Sequence, residues 1–146
     1  MGGFGIAYAE GKAIFVPCTA VGDIVDIDIT VEKKDYAYGK VKKYISCSDS
    51  RVEVKCPSFV AEIPCGGCDW LMLKYSEQLK QKNQLLLELF SPFIDKALIY
   101  FPAPSPQIKH YRNKVFMPVG KNIQTGKITF GMYARFSHQI VEHITC

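Results

Sequence analysis

The chain opens with two short apolar runs, Phe4–Tyr8 and Lys12–Val16, divided by Ala9-Glu10-Gly11. Short apolar runs around a glycine-bearing break predict a β-hairpin, and Pro17 stops the second run. Residues 23–34, DIVDIDITVEKK, then alternate with period two. Val25, Ile27, Ile29 and Val31 fall on one side, Asp26, Asp28 and Thr30 on the other, as in a half-buried strand. Tyr36–Ile45 mixes Tyr, Val and Ile with Lys and predicts a fourth strand. Four strands at roughly ten-residue spacing predict a small barrel or sandwich. Such a barrel closes with a fifth strand, expected upstream of GGFG.

The pattern changes twice after the strands. Residues 51–75 have little periodicity and read as a loop wrapped around something. SEQLKQKNQLLLELF, from Ser76, predicts a helix: Ser76 serves as N-cap, Glu77 lies in the first turn, and Leu79, Leu86, Leu89 and Phe90 share a face. Pro92 ends it. PAPSP, residues 102–106, predicts a stiff extended connector. YRNKVFMPVG and GKITFGMYARFS then predict two strands around the turn-forming GKNIQTG, and HQIVEHITC begins another strand or helix. The expected fold class is mainly β with some α. Its expected parts are a small OB-like barrel over 1–50, a cysteine loop over 51–75, and an α+β central domain over 76–146, read as truncated at its end.

Composition narrows the class. The chain has 146 residues, 48% apolar and 22% charged, as in an ordinary soluble domain. No run of eighteen apolar residues exists, and MGGFGIAYAEGK lacks the basic start and apolar core of a signal peptide. A cytoplasmic monomer with no membrane partner is the expectation. The net charge of +4 is uneven: residues 1–70 hold eight Lys/Arg against ten Asp/Glu, and residues 71–146 ten against four. The second half is where a polyanion is expected.

KCPSFVAEIPCGGCDW, residues 55–70, gathers three of six cysteines: Cys56, eight residues, Cys65, two residues, Cys68. Four chemistries compete. A redox dithiol wants the second Cys in the first turns of a helix; here Asp69–Leu73 intervene, and Cys56 is a bystander. Disulfides are rare in a reducing compartment. Zinc wants a second pair, which His138 and His143 could supply. An iron–sulfur cluster wants a short C-x2-C turn and a distant fourth thiolate. The two glycines suit that tight turn, whose N–H groups can point at sulfur. Cys146, Cys47 and Cys18 are all candidates for the fourth ligand, and the residues alone do not choose among them.

A larger order of motifs is present. Ser48–Val52 reads S-x2-R-V; then come Cys56 and Cys65-Gly66-Gly67-Cys68; then Gln78-Leu79-Lys80-Gln81-Lys82; then Tyr111-Arg112-Asn113-Lys114; then Ser137-His138-Gln139-Ile140-Val141. In this order the chain resembles the RNA uracil-5-methyltransferases, and within them the cluster-bearing 23S ribosomal RNA branch. The resemblance covers nearly the whole chain. It implies an N-terminal TRAM domain, an OB-like barrel that binds RNA. It implies a [4Fe–4S] cluster on Cys56, Cys65, Cys68 and Cys146, the last lying 78 positions after Cys68. It also implies S-adenosylmethionine as methyl donor and ribosomal RNA as partner. In that family a cysteine thiolate adds to C6 of a uracil lifted out of the RNA, C5 takes the methyl group, and a carboxylate removes the C5 proton. The resemblance places no catalytic residue in this chain; the methyl-donor domain would follow Cys146, so the chain alone is expected to be inactive. The alternative is a free-standing RNA-binding module with a structural zinc or iron–sulfur site.

Three departures stand out. The Cys56–Cys65 spacer has eight residues where several members have five. Asp69-Trp70-Leu71-Met72-Leu73 replaces a Gln-His pair. The first barrel strand is not seen.

For RNA, Arg112 and Lys114 are expected to meet phosphate, Asn113 a base or the local backbone, and Tyr111 to stack. Lys40, Lys42 and Lys43 form a basic strip with Tyr38 and Tyr44 interleaved, a mixture suited to single-stranded RNA. It is equally the pattern of an edge strand guarded by lysines. Arg135 and His138 are secondary candidates.

Overall fold

The computed structural model describes residues 3–122 and 125–142. Its strands are β1 Phe4–Ala9, β2 Lys12–Pro17, β3 Ile24–Glu32, β4 Tyr36–Ser46, β5 Val119–Lys121, β6 Ile128–Tyr133 and β7 Ile140–Glu142. Among the described residues there is one α-helix, α1, Tyr75–Phe90, and a 3-10 turn at Lys96–Leu98. The mainly β class with some α is the observed one.

β1 to β4 form one sheet in the order β1-β2-β4-β3. The β1–β2 hairpin turns on Glu10 and Gly11, at φ 50° and 77°, the paired left-handed geometry of a type I′ turn. β2 and β4 run parallel, with Phe15 opposite Tyr38, and β3 pairs antiparallel with the far side of β4. The sheet stays open, with β1 and β3 as its edges. β3 alternates as its sequence predicts, yet Ile29 and Val31 are exposed. The pairing of β3 with β4 shifts register at Asp26/Ile27, where Lys42 of β4 is skipped, and again at Ile29/Val31.

The inner side of β4 is small. Ala37 and Gly39 are buried, and a Cβ on Gly39 would stand 3.1 Å from Ile27 Cδ1 and 3.5 Å from Val16 Cγ2. With Val16 and Ala20 these residues make a thin, close-packed floor. A fully buried large side chain contributes about 1.5–3 kcal/mol, and Phe59 and Met72 are the large ones under the loop that follows.

A buried ion pair locks the end of the sheet. Asp23 accepts from Ala20 N at 2.7 Å, from Ser48 N at 2.8 Å and from Arg51 at 2.5 Å. Its carboxylate is shut away from water. Arg51 also donates to Cys18 O and lies 4.6 Å over the Tyr44 ring, whose hydroxyl donates to the same carbonyl. This corrects the placing of Tyr44 in an exposed strip: the bulge at Lys42 turns it inward, and burial pushes its phenol pKa up.

The chain divides into two compact units. One holds the described residues through Met72 together with those from Lys114 on; the other is Leu73–Asn113. These units cut across the three expected parts, because β5–β7 cluster with the cysteine loop and not with the helix. β5, β6 and β7 form an antiparallel sheet in that order, and Thr129 donates to Glu142 across β6 and β7. Residues 111–118 are irregular, so the strand expected for YRNKVFMPVG is confined to its end.

In the second unit α1 begins one residue before the expected cap. Lys74 is the N-cap and makes no side-chain capping bond, which leaves Ser76 inside the helix. Gln78 Nε2 instead donates to Leu73 O, tying the first turn to the preceding chain. Only Leu79 is buried on this helix, whereas Leu89 and Phe90 are exposed. Among the described residues no helix is long and apolar enough to cross a membrane.

Candidate functional site

The cysteine loop is held by backbone. Phe59 N donates to Cys56 O, Cys65 N to Ser58 O, Gly66 N to Tyr133 O, and Arg135 N to Pro64 O. Cys65 bridges Ala134 as a one-residue strand pair. The loop therefore lies along the end of β6. This close approach needs glycine: a Cβ on Gly66 would stand 3.0 Å from Tyr133 O and 3.4 Å from Arg135 N. Gly67 N donates to Cys65 Sγ at 3.3 Å.

Arg135 fixes the far side of the turn. Its Nη2 donates to Cys68 O at 2.7 Å and its Nη1 to Asp69 Oδ1 at 3.2 Å, with the guanidinium 5.4 Å over Phe59. Sequence reasoning placed Arg135 among the secondary RNA candidates; its charge is committed to the loop. A single Arg 67 residues downstream carries no local signal of that partnership. His138 packs edge-on to Tyr133 at 5.4 Å.

Of the cysteines, Cys65 is buried, Cys56 half-buried and Cys68 exposed. Among the described residues no three His, Cys, Asp or Glu side chains are gathered closely enough to hold a metal ion. Cys146 and His143 lie outside the described residues. Cys56, Cys65 and Cys68 are close in sequence and are thiol donors in kind, but only Cys65 and Cys68 share the tight turn. Burial pushes the Cys18 thiol pKa up, against the pull of Arg135 and Arg51, and Cys47 is exposed near the end of β4.

Lys109, His110, Tyr111, Arg112, Asn113 and Lys114 are all exposed. Arg112 lies 5.7 Å over the Tyr111 ring, and Lys114 Nζ 4.7 Å over Phe116. No Asp or Glu occurs between Asp95 and Glu142, a stretch holding seven Lys/Arg. Beside the loop, an open apolar groove of about 580 Å³ is lined by Gly66, Phe116, Met117, Pro118, Met132 and Tyr133.

On the sheet, Lys40, Lys42 and Lys43 are exposed. Lys42 is 3.8 Å from Asp28, and Lys43 is registered opposite Asp26, so this strip is partly neutralised. The exposed aromatic residues Tyr36 and Tyr38 precede it on the same strand.

The sequence of this sheet has known counterparts. The family model for the TRAM domain of tRNA (uracil(54)-C(5))-methyltransferase matches residues 1–40. An uncharacterised RNA methyltransferase of Bdellovibrio bacteriovorus is 40% identical over 148 residues, covering 100% of this chain and 35% of that protein. One from Bacillus cereus is 31% identical over 99% of the chain and 31% of its own length. One from Clostridium tetani is 35% identical over 90% of the chain and 28% of its own length. The chain thus spans about a third of the length of the curated relatives it matches. The class of protein this chain is similar to is the RNA methyltransferases. More particularly, residues 1–40 are similar to the TRAM domain of a uracil-C5-methyltransferase.

Proposed function

We propose that this chain is the RNA-recognition and [4Fe–4S] portion of an S-adenosylmethionine-dependent RNA (uracil-5-)-methyltransferase acting on 23S ribosomal RNA. One observation carries the reading. The segment matched as a TRAM domain folds as an open sheet with aromatic and lysine side chains on its solvent side, next in sequence to a CGGC turn anchored on β6. RNA-binding surfaces of this class use that combination of rings and cations. Arg112 and Lys114 meet phosphate, with Asn113 and Tyr111 beside them for base contacts. Lys40, Lys42 and Lys43 add a weaker strip.

Cys56, Cys65, Cys68 and Cys146 would hold the cluster, which pins the loop. The chain's own contribution there is the Gly67 amide on Cys65 sulfur and the grip of Arg135 on Cys68. Methyl transfer belongs to the longer protein.

The test is retention of the purified chain on transcripts of 23S rRNA and of tRNA over a salt series, with iron and sulfide assayed after anaerobic purification. Tighter, salt-sensitive binding to the 23S transcript and a brown protein with iron and sulfide are expected. Equal or weaker binding than to tRNA overturns the substrate assignment. Iron-free protein containing stoichiometric zinc overturns the cluster.

A further inference from the structure

The outer face of the β1–β4 sheet carries a connected set of rings. Phe4 meets Phe15 at 6.0 Å between centroids, Phe15 meets Tyr38 at 5.6 Å, and Tyr38 meets Tyr36 at 5.7 Å. Val16, Ala37 and Gly39 are the buried residues of β2 and β4, so strand alternation puts the rings on the other face, with Phe4 and Phe15 half-buried and the two tyrosines exposed. Tyr36 is 38% and Tyr38 36% exposed. A soluble protein that displays a contiguous aromatic surface instead of burying it marks a binding site.

A second observation points to stacking. Phe136 lies on the turn after β6, stacked on Phe4 at 5.3 Å and 19° between planes, while 73% exposed. Its φ is +59°, a left-handed conformation that a bulky residue adopts only at a cost of order 1–3 kcal/mol. The backbone is thus held in an unfavourable state at a residue whose ring extends the row and offers its outer side to solvent. A flat group already sits parallel on the end of the row; another flat group can continue it.

The fringe distinguishes the occupant. Exposed Lys33 and Lys34 precede Tyr36, and exposed Lys40 follows Tyr38, with Asp35 and Asp28 among them. The charge complements a polyanion only mildly, so the rings must supply most of the affinity. Planar, stackable and anionic describes unpaired nucleotides.

We infer that the row Tyr36, Tyr38, Phe15, Phe4 and Phe136 is a stacking platform for unpaired bases of single-stranded RNA, with Phe136 as its end piece. This deepens the RNA-recognition reading above and rests on it. Base–aromatic stacking tolerates any base and depends little on salt, unlike phosphate contacts.

The test uses the 146-residue chain and fluorescence anisotropy with labelled oligouridylate of about 12 nucleotides, within the site size of such folds. An abasic strand of equal length and charge is the control. The Tyr36→Leu/Tyr38→Leu double variant is expected to bind oligouridylate roughly tenfold more weakly, and Phe136→Asn roughly fivefold, with the salt slope unchanged. Asn tolerates positive φ, so Phe136→Asn loses the ring without loss of folding, which thermal melting checks. Neither variant should change binding of the abasic strand. Wild-type affinity of both variants for oligouridylate overturns the platform and leaves RNA recognition to the basic residues. Equal losses on the abasic strand overturn it too, since stacking then plays no part. Failure of the unmodified chain to bind any RNA removes the broader reading and this one together.

Discussion

The outer sheet face and the segment 109–114 are built on opposite principles. The first is aromatic, fixed by strand register and nearly neutral at its fringe. The second is irregular, exposed and cationic, inside a long acid-free stretch of the sequence. A row of rings is useful only if the spacing between rings is held, so it needs a sheet. A phosphate contact works over a longer range and tolerates a mobile side chain, so it needs little more than charge. The difference explains why the sheet side invests in a buried ion pair and the basic side does not.

That ion pair offers the largest test. Arg51→Ala leaves the Asp23 carboxylate buried without its cation, and breaking a pair of this kind costs about 3–5 kcal/mol. Denaturant unfolding should show the loss, and any RNA retention that survives should be the salt-sensitive part alone. A loss below about 1 kcal/mol would show that Ala20 N and Ser48 N suffice for Asp23. Next in size is Arg112→Ala with Lys114→Ala. Removing two phosphate contacts should flatten the dependence of log K on log salt by about 1.4 for a single strand. A slope equal to that of the parent chain would move the phosphate contacts elsewhere, with Lys40 the next candidate. The sheet's fold should be unaffected by that pair of substitutions.

The smaller tests concern how rigid the sheet side is. Cys18 is shielded at the base of the sheet, and burial raises its thiol pKa, while Cys47 is exposed. Iodoacetamide with mass spectrometry should modify Cys47 well before Cys18, and RNA should leave that order unchanged. Smallest is the surface pair Lys12–Glu32, at 2.5 Å. The hydrogen bond from Lys12 holds the Glu32 carboxyl below its ordinary 4.5. Its contribution is present above that value and is lost as pH falls through the depressed folded pKa. Lys12→Met should therefore lower stability slightly at neutral pH and converge on the parent chain in acid.

Much of this was legible along the chain. Period-two alternation placed β3 and β4, Glu10-Gly11 named the hairpin turn, and helix formers up to Pro92 named α1. Each of those signals is local, so the sequence carries it directly. The inward turn of Tyr44 was not legible, because a single bulge at Lys42 inverts the strand's later residues and bulges leave no periodic mark. Nor was the role of Arg135, which reaches a loop far earlier in the chain, nor the grouping of β5–β7 with the cysteine loop.

What the sequence by itself determined is the order of chemistry: a β segment matched as a TRAM domain, a CGGC turn, a helix, and a basic Y-R-N-K run. What only the tertiary structure decided is which side of each strand meets water. Tyr36-Ala37-Tyr38-Gly39 alternates large and small, and hydropathy alone would bury the rings. The close floor of Val16 and Ile27 has room only for Ala37 and Gly39. The rings face outward for that steric reason, and together with Phe4 and Phe136 they become a surface.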